Sequence, residues 1–307
     1  MQETKDGSGS GFRPGEGLGK GVEECWMDFG GARMRYLRCG SGPALILLHG
    51  LMGYSFSWRY TMPALAPYRT VYAPDMLGAG FSDRPRIDHS MQATALRVLK
   101  FAGNLGIDAL DLLGTSRGGA VAMCAAAESI NSDSSSPRIR SLILVAPVNP
   151  YSPHGRKLAA IAGTPWGAAV VRSVLNGVPS LYPYWHGRMF GDKRKIPAGS
   201  LEGYTAPLAI PGLFEHALSI VSTWGKDLRE LEALLPKLNQ IPTLLVWGSK
   251  DPAVYASSLE PLARHFPYAQ TAVFPGIGHL PYEECPEEFN QTLIRFLASG
   301  LPGASVK

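Results

Sequence analysis

The sequence predicts an α/β protein: a mainly parallel central sheet with helices on both faces and a helical insertion between two of its strands. Three observations predict it. Short apolar runs alternate with helical patterns along most of the chain. The stretch 147–236 breaks that rhythm, shows no clear buried strand, and is punctuated by Pro165, Pro179, Pro183, Pro197, Pro207 and Pro211. The 307 residues are 45% hydrophobic and only 18% charged, enough apolar material for a large core.

In order, Cys25 to Phe29 and Met34 to Arg38 flank Gly30-Gly31 and read as an opening hairpin. Ala44 to Leu48 and Arg69 to Ala73 are strands. Gln92 to Leu105 has apolar residues at helical positions among polar ones, and reads as a helix. Ala109 to Leu113 is a strand, Gly118 to Ala127 a small-residue helix, Asn131 to Pro137 a serine-rich loop, and Ile139 to Ala146 a strand. After the insertion come the strand Thr243 to Trp247, the helix Ser257 to His265, the strand Gln270 to Phe274 and the helix Glu287 to Leu297. Neither flank of the insertion completes a sheet alone. The expected organisation is therefore a tail at 1–21, a core from 22–146 and 237–307, and a helical unit at 147–236.

Several classes are disfavoured. The net charge of +4, from 29 basic and 25 acidic residues, is small and dispersed, which gives no case for a nucleic-acid partner. The longest apolar runs, such as Leu142 to Ala146, fall far short of the roughly 20 residues a membrane span needs. The first 21 residues hold seven glycines and no apolar centre of a secretory signal, so they read as a flexible tail. A cytoplasmic protein is the simplest expectation, although a processed mature form would look the same. Cys25, Cys39, Cys124 and Cys285 are too few for a disulfide framework; free thiols are expected, with a Cys25–Cys39 pair open only if the first strands align them. No cluster has metal-ligand spacing, so neither metal nor cofactor is expected.

The strongest motif is Gly114-Thr115-Ser116-Arg117-Gly118-Gly119, which follows a strand and opens a small-residue helix. G-x-S-x-G in that setting is a nucleophile elbow. The sharp turn lifts the serine above the sheet, and its neighbours two positions away must be small. The Arg117 N–H then lies at a helix N-terminus, where developing negative charge is stabilised. A serine hydroxyl is a weak nucleophile without a base. His279, in Gly276-Ile277-Gly278-His279-Leu280-Pro281 after the last strand, is the candidate base. His89, His154, His186, His216 and His265 lack such a setting and read as surface or insertion residues. Asp251, directly after the strand Thr243 to Trp247, is the candidate partner of the imidazole; the blander reading is a cap on the next helix. The usual alternative position, 146–151, contains no acid. In His49-Gly50-Leu51-Met52-Gly53 the glycines let the backbone approach the nucleophile, and the Leu51 N–H is the second candidate oxyanion donor beside Arg117. His49 reads as structural. The side chains of Leu51 and Arg117 are expected to be free to shape the pocket.

Together LILLHGLMG, Asp75 to Pro85, LLGTSRGG, LLVWGSKDP and GIGHLPYEECPEEF resemble the α/β-hydrolase fold superfamily, in its capped esterase and epoxide-hydrolase-like branch, from about residue 25 to 298. The resemblance implies a Ser116–Asp251–His279 triad in the family's order, a cap formed by the insertion, and a structural loop at Asp75 to Pro85. Haloalkane dehalogenases and epoxide hydrolases of this branch use Asp at the elbow, where this chain has Ser116. Carbon–carbon bond hydrolases usually place Trp after the histidine and Asn before the serine; here Leu280 and Thr115 stand there. Proline iminopeptidases usually place Trp after the nucleophile, where Arg117 stands. The expectation is a cofactor-independent serine hydrolase of small to medium carboxylic esters, its partner a small-molecule ester. A lactonase, a thioesterase or amidase, and a perhydrolase-like enzyme share the triad; a ligand receptor with a vestigial triad and a lyase are the other classes. Oligomeric state is not legible. Of the insertion's nine aromatics, most are expected to face the core, and Lys193-Arg194-Lys195 reads as a solvated edge against an anion-steering role.

Overall fold

In the computed structural model, which describes residues 19, 21–131, 136–152, 166–167 and 178–299, one eight-stranded sheet organises the chain. Its strands are β1 (Glu23–Asp28), β2 (Arg33–Cys39), β3 (Ala44–Leu48), β4 (Thr70–Pro74), β5 (Ala109–Thr115), β6 (Arg138–Val145), β7 (Thr243–Gly248) and β8 (Gln270–Phe274). The spatial order is β1-β2-β4-β3-β5-β6-β7-β8. β2 is antiparallel to both β1 and β4, and every later pairing is parallel.

The parallel strands read as unbroken apolar runs because both faces are covered. In β3, Ile46 and Leu48 enter one core while Leu45 and Leu47 enter the other. The first core is closed by helices α2 (Met91–Asn104) and α3 (Arg117–Asn131), the second by α1 (Thr61–Leu65) together with residues such as Phe289 and Leu293. The Ser90 hydroxyl caps α2 by accepting the Ala93 N–H at 3.2 Å.

Between β6 and β7 the described elements are helical: α4 (Val178–Arg188), α5 (Ser200–Thr205) and α6 (Leu213–Leu234), with short 3₁₀ turns. After β7 come α7 (Leu259–Ala263), α8 (Pro281–Glu284) and α9 (Pro286–Ala298). The expected helix at Ser257 to His265 is shorter: a 3₁₀ turn at Ala256–Ser258 leads into α7. All of the tail expected at 1–21 except Gly19 and Gly21, and much of the serine-rich loop, lie outside the described residues. The four cysteines are free. Cys25 faces Tyr36 across the β1–β2 ladder rather than Cys39, which disposes of the one disulfide the sequence left open. Among the described residues no helix is long and apolar enough to cross a membrane.

This topology matters for one reason. Parallel strands end together, so the loops after β3, β5, β7 and β8 share one edge of the sheet, the edge where α/β sheets build sites.

Candidate active site

Ser116 stands between β5 and α3 with φ of 52°. That left-handed conformation costs a residue with a side chain about 1–2 kcal/mol. The surrounding backbone imposes it. The Ser116 N–H donates to the Val145 carbonyl at 2.9 Å, and the Ser116 carbonyl accepts from Val148 N–H at 2.9 Å and Gly119 N–H at 3.0 Å. A Cβ at Gly114 would strike the Gly118 carbonyl, and one at Gly118 the carbonyls of Leu48 and His49. The two elbow glycines are therefore required by main-chain contact.

Asp251 and His279 meet from the loops after β7 and β8. His279 Nδ1 lies 2.6 Å from Asp251 Oδ2, and both residues are buried. Asp251 Oδ1 accepts the N–H groups of Ala253 and Val254 at 2.8 and 2.9 Å. The carboxylate thus closes the local turn with one oxygen and meets the imidazole with the other; it does not cap the next helical turn, Ala256–Ser258, whose N-cap is Tyr255 without a side-chain bond. With Nδ1–H directed at the carboxylate, Nε2 is left as the acceptor nitrogen.

The loop after β3 lies beside the elbow. A Cβ at Gly50 would come within 3.1 Å of the Ser116 Cβ and 3.7 Å of its Oγ. His49 fixes this loop. Its Nε2 accepts the Met76 N–H at 3.0 Å, which leaves Nδ1–H to donate to the Gly50 carbonyl at 2.9 Å. Burial lowers the imidazole pKa and keeps it neutral, as this pair of bonds requires. Both ring nitrogens of His49 are thus engaged by the backbone.

Two expectations need correction. Arg117 is not free to shape a pocket: its buried guanidinium donates to the His89 carbonyl at 2.5 Å and to Thr94 Oγ1 at 3.2 Å, tied to the start of α2. Burial pushes its pKa down to about 10. Nor is His89 a surface residue. It is buried with its ring 4.3 Å from that of His216, and both line a cavity of about 10 Å³ with Leu51 and Arg117. His265 is half-buried on the Tyr151 hydroxyl at 2.6 Å, His186 is buried within the insertion, and His154 lies outside the described residues.

The sequence reading missed the group that holds the His279 loop. Glu284, buried in α8, accepts three backbone N–H groups: Gly278 at 2.7 Å, Gly191 at 2.9 Å and Asp192 at 2.8 Å. The His279 N–H itself donates to the Met189 carbonyl at 2.7 Å. Segment 189–192 of the insertion is therefore sewn to the histidine loop. The contact is so close that a Cβ at Gly278 would strike the Met189 carbonyl, and one at Gly191 the Gly276 carbonyl. The one available signal was Glu283-Glu284 just behind Pro281, two acids in the first turn of a helix.

Asp251 and His279 are thus joined, and Gly50, Gly114 and Gly118 pack around Ser116. Among the described residues the Ser116 hydroxyl has no hydrogen-bond partner, so the serine and the imidazole share the sheet edge without being bonded; such bonds commonly tighten only when substrate binds.

The sequence profile of the Alpha/beta hydrolase family matches residues 45–292, from β3 through most of α9. The chain belongs to that family. An uncharacterized protein of Mycobacterium tuberculosis is 27% identical over 285 residues, 89% of this chain and 80% of that protein. Haloalkane dehalogenase 2 of the same organism is 28% identical over 286 residues, 89% of this chain and 94% of its own. Among solved structures, the haloalkane dehalogenase DatA of Agrobacterium tumefaciens superposes with a TM-score of 0.78 at 20% identity, covering 93% of this chain and 99% of that one, a likeness of fold. This alpha/beta hydrolase keeps the fold's mostly parallel sheet flanked by helices.

Proposed function

We propose that this hydrolase cleaves small to medium carboxylic esters through an acyl-enzyme on Ser116. His279 Nε2 takes the hydroxyl proton as the oxygen attacks the ester carbonyl, and the imidazolium is stabilised by Asp251 through Nδ1–H. The N–H groups of Leu51 and Arg117 receive the oxyanion, the second of them at the N-terminus of α3. His279 returns the proton to the leaving alcohol, then activates the water that releases the acid. The insertion at 147–236 acts as the cap over this site.

The observation that carries the reading is a serine at φ 52° on the same sheet edge as a buried aspartate–histidine pair 2.6 Å apart. The identity of the nucleophile separates this chain from the chemistry its dehalogenase relative is named for. A carboxylate nucleophile that displaces halide forms an ester, which water can cleave. Ser116 in that role would form an ether, with no carbonyl for water to attack, and the enzyme would stop after one turnover.

The test is hydrolysis of p-nitrophenyl esters from acetate to palmitate by wild type and Ser116→Ala. Turnover that peaks at short or medium chains and disappears in the variant is expected. Retention of most activity by Ser116→Ala overturns the mechanism.

A further inference from the structure

α4 is apolar on the wrong side as well as the right one. Its inner face carries His186, whose ring lies 5.2 Å from Phe190 and 5.6 Å from Tyr204 and whose Nε2 meets the Ser200 hydroxyl at 3.1 Å. Its outer face carries Leu181, Tyr184, Trp185 and Arg188, spaced i, i+3, i+4 and i+7, which makes one stripe. The three apolar members are 46%, 56% and 48% exposed. Tyr184 and Trp185 pack edge to face on each other at 5.8 Å, and the Arg188 Nη1 donates to the Tyr184 hydroxyl at 3.1 Å. The outer face of a helix bathed in water is ordinarily polar, and a contiguous aromatic stripe marks a docking surface.

The charge around the stripe says what docks. α4 contains no acid. It is followed by the exposed 3₁₀ turn Lys193–Lys195. Four cations, Arg188, Lys193, Arg194 and Lys195, stand against Asp192, which pairs with Arg194 at 2.8 Å, and the exposed Glu202. A second copy of the chain related by a two-fold axis would bring this cationic rim against itself. A bilayer with anionic headgroups neutralises it and also accepts tyrosine and tryptophan at its interface.

We propose that α4 docks this protein on anionic lipid surfaces. Leu181, Tyr184 and Trp185 enter the headgroup–acyl boundary while Arg188, Lys193 and Lys195 pair with headgroup phosphates. A single helix of this length gives reversible, salt-sensitive attachment. The proposal does not depend on the ester reading.

The full chain is sedimented with vesicles of phosphatidylcholine, with and without phosphatidylglycerol, at low and high salt. Wild type is expected to bind the anionic vesicles and to be released by salt. Leu181→Ser/Trp185→Ser and Lys193→Glu/Lys195→Glu are each expected to bind about tenfold or more weakly while keeping the wild-type thermal melt. Failure of wild type to bind anionic vesicles overturns the proposal. So does binding that survives Leu181→Ser/Trp185→Ser. A lipid-independent dimer that this variant breaks would also overturn it, by giving the face to a second copy.

Discussion

Glu284→Gln replaces one oxygen by an NH₂ group and tests whether the histidine loop is held from below. In the native site Oε2 accepts two backbone N–H groups, from Gly278 and Gly191, and Oε1 accepts a third, from Asp192. The glutamine oxygen can take the place of Oε2 and keep two of these bonds. Its NH₂ then faces the Asp192 N–H, donor against donor. One charge-assisted bond of about 1.5–3 kcal/mol is lost, the two kept are weakened, and a buried N–H is left unpaired, for a total of about 2–4 kcal/mol. The strain is delivered at Gly278, next to His279, whose own N–H is bonded to the neighbouring Met189 carbonyl. A shift of the imidazole by a fraction of an ångström lowers kcat by about 10–100-fold with little change in KM, because the perturbation is delivered to the histidine loop. Urea unfolding gives the stability term, and p-nitrophenyl ester kinetics give the kcat against KM split. A variant with wild-type kcat and an unchanged unfolding midpoint would refute the claim that Glu284 positions the base.

Asp251→Asn keeps an oxygen for the Ala253 and Val254 N–H groups but turns an NH₂ toward His279 Nδ1, forcing the wrong tautomer. The expected loss is about 10⁴ in kcat without loss of fold, read by ester turnover alongside circular dichroism. Ser116→Gly abolishes turnover yet is expected to be more stable than Ser116→Ala by about 1 kcal/mol, since glycine accepts φ 52° without strain; equal melting temperatures would count against it. Acidification supplies a further test. Burial lowers the pKa of His89 and His186 to about 4 and that of His216 to about 2. Unfolded imidazoles bind protons below about pH 6.5 while the folded ones stay neutral, so stability is full above that pH and falls between pH 6.5 and 4. The slope approaches about 1.4 kcal/mol per pH unit for each group. Denaturant midpoints that stay flat from pH 7.5 to 4.5 would sink this reading.

Much of this architecture was legible because it is local. β3, β5 and β7 are apolar runs bounded by glycine, and the elbow announces itself through Gly114 and Gly118. The loops carrying Asp251 and His279 follow strands that could be read directly. What escaped the sequence is long-range. Glu284 reaches back to Gly191 and Asp192 within the insertion, and no window spanning α8 contains these two partners. His89 sits in a polar loop and reads as exposed until His216, from α6, packs its ring against it. The expectation that the insertion's aromatics mostly face inward fails at Trp166, Tyr184 and Trp185, which are exposed, while Phe190, Tyr204 and Trp224 obey it. In α4 apolar residues lie on both sides of the helix, so periodicity cannot say which side the protein covers.

The stitch between segment 189–192 and the histidine loop also fixes an order of events. Lifting the insertion at that point would break the bond between the His279 N–H and the Met189 carbonyl and strip Glu284 of two of its three donors. The imidazole would lose its backbone support in the same movement. If His279 is the base proposed above, a molecule opened there has no positioned base, and reaction waits on closure. On the proposed mechanism His279 is positioned to act only while this seam holds.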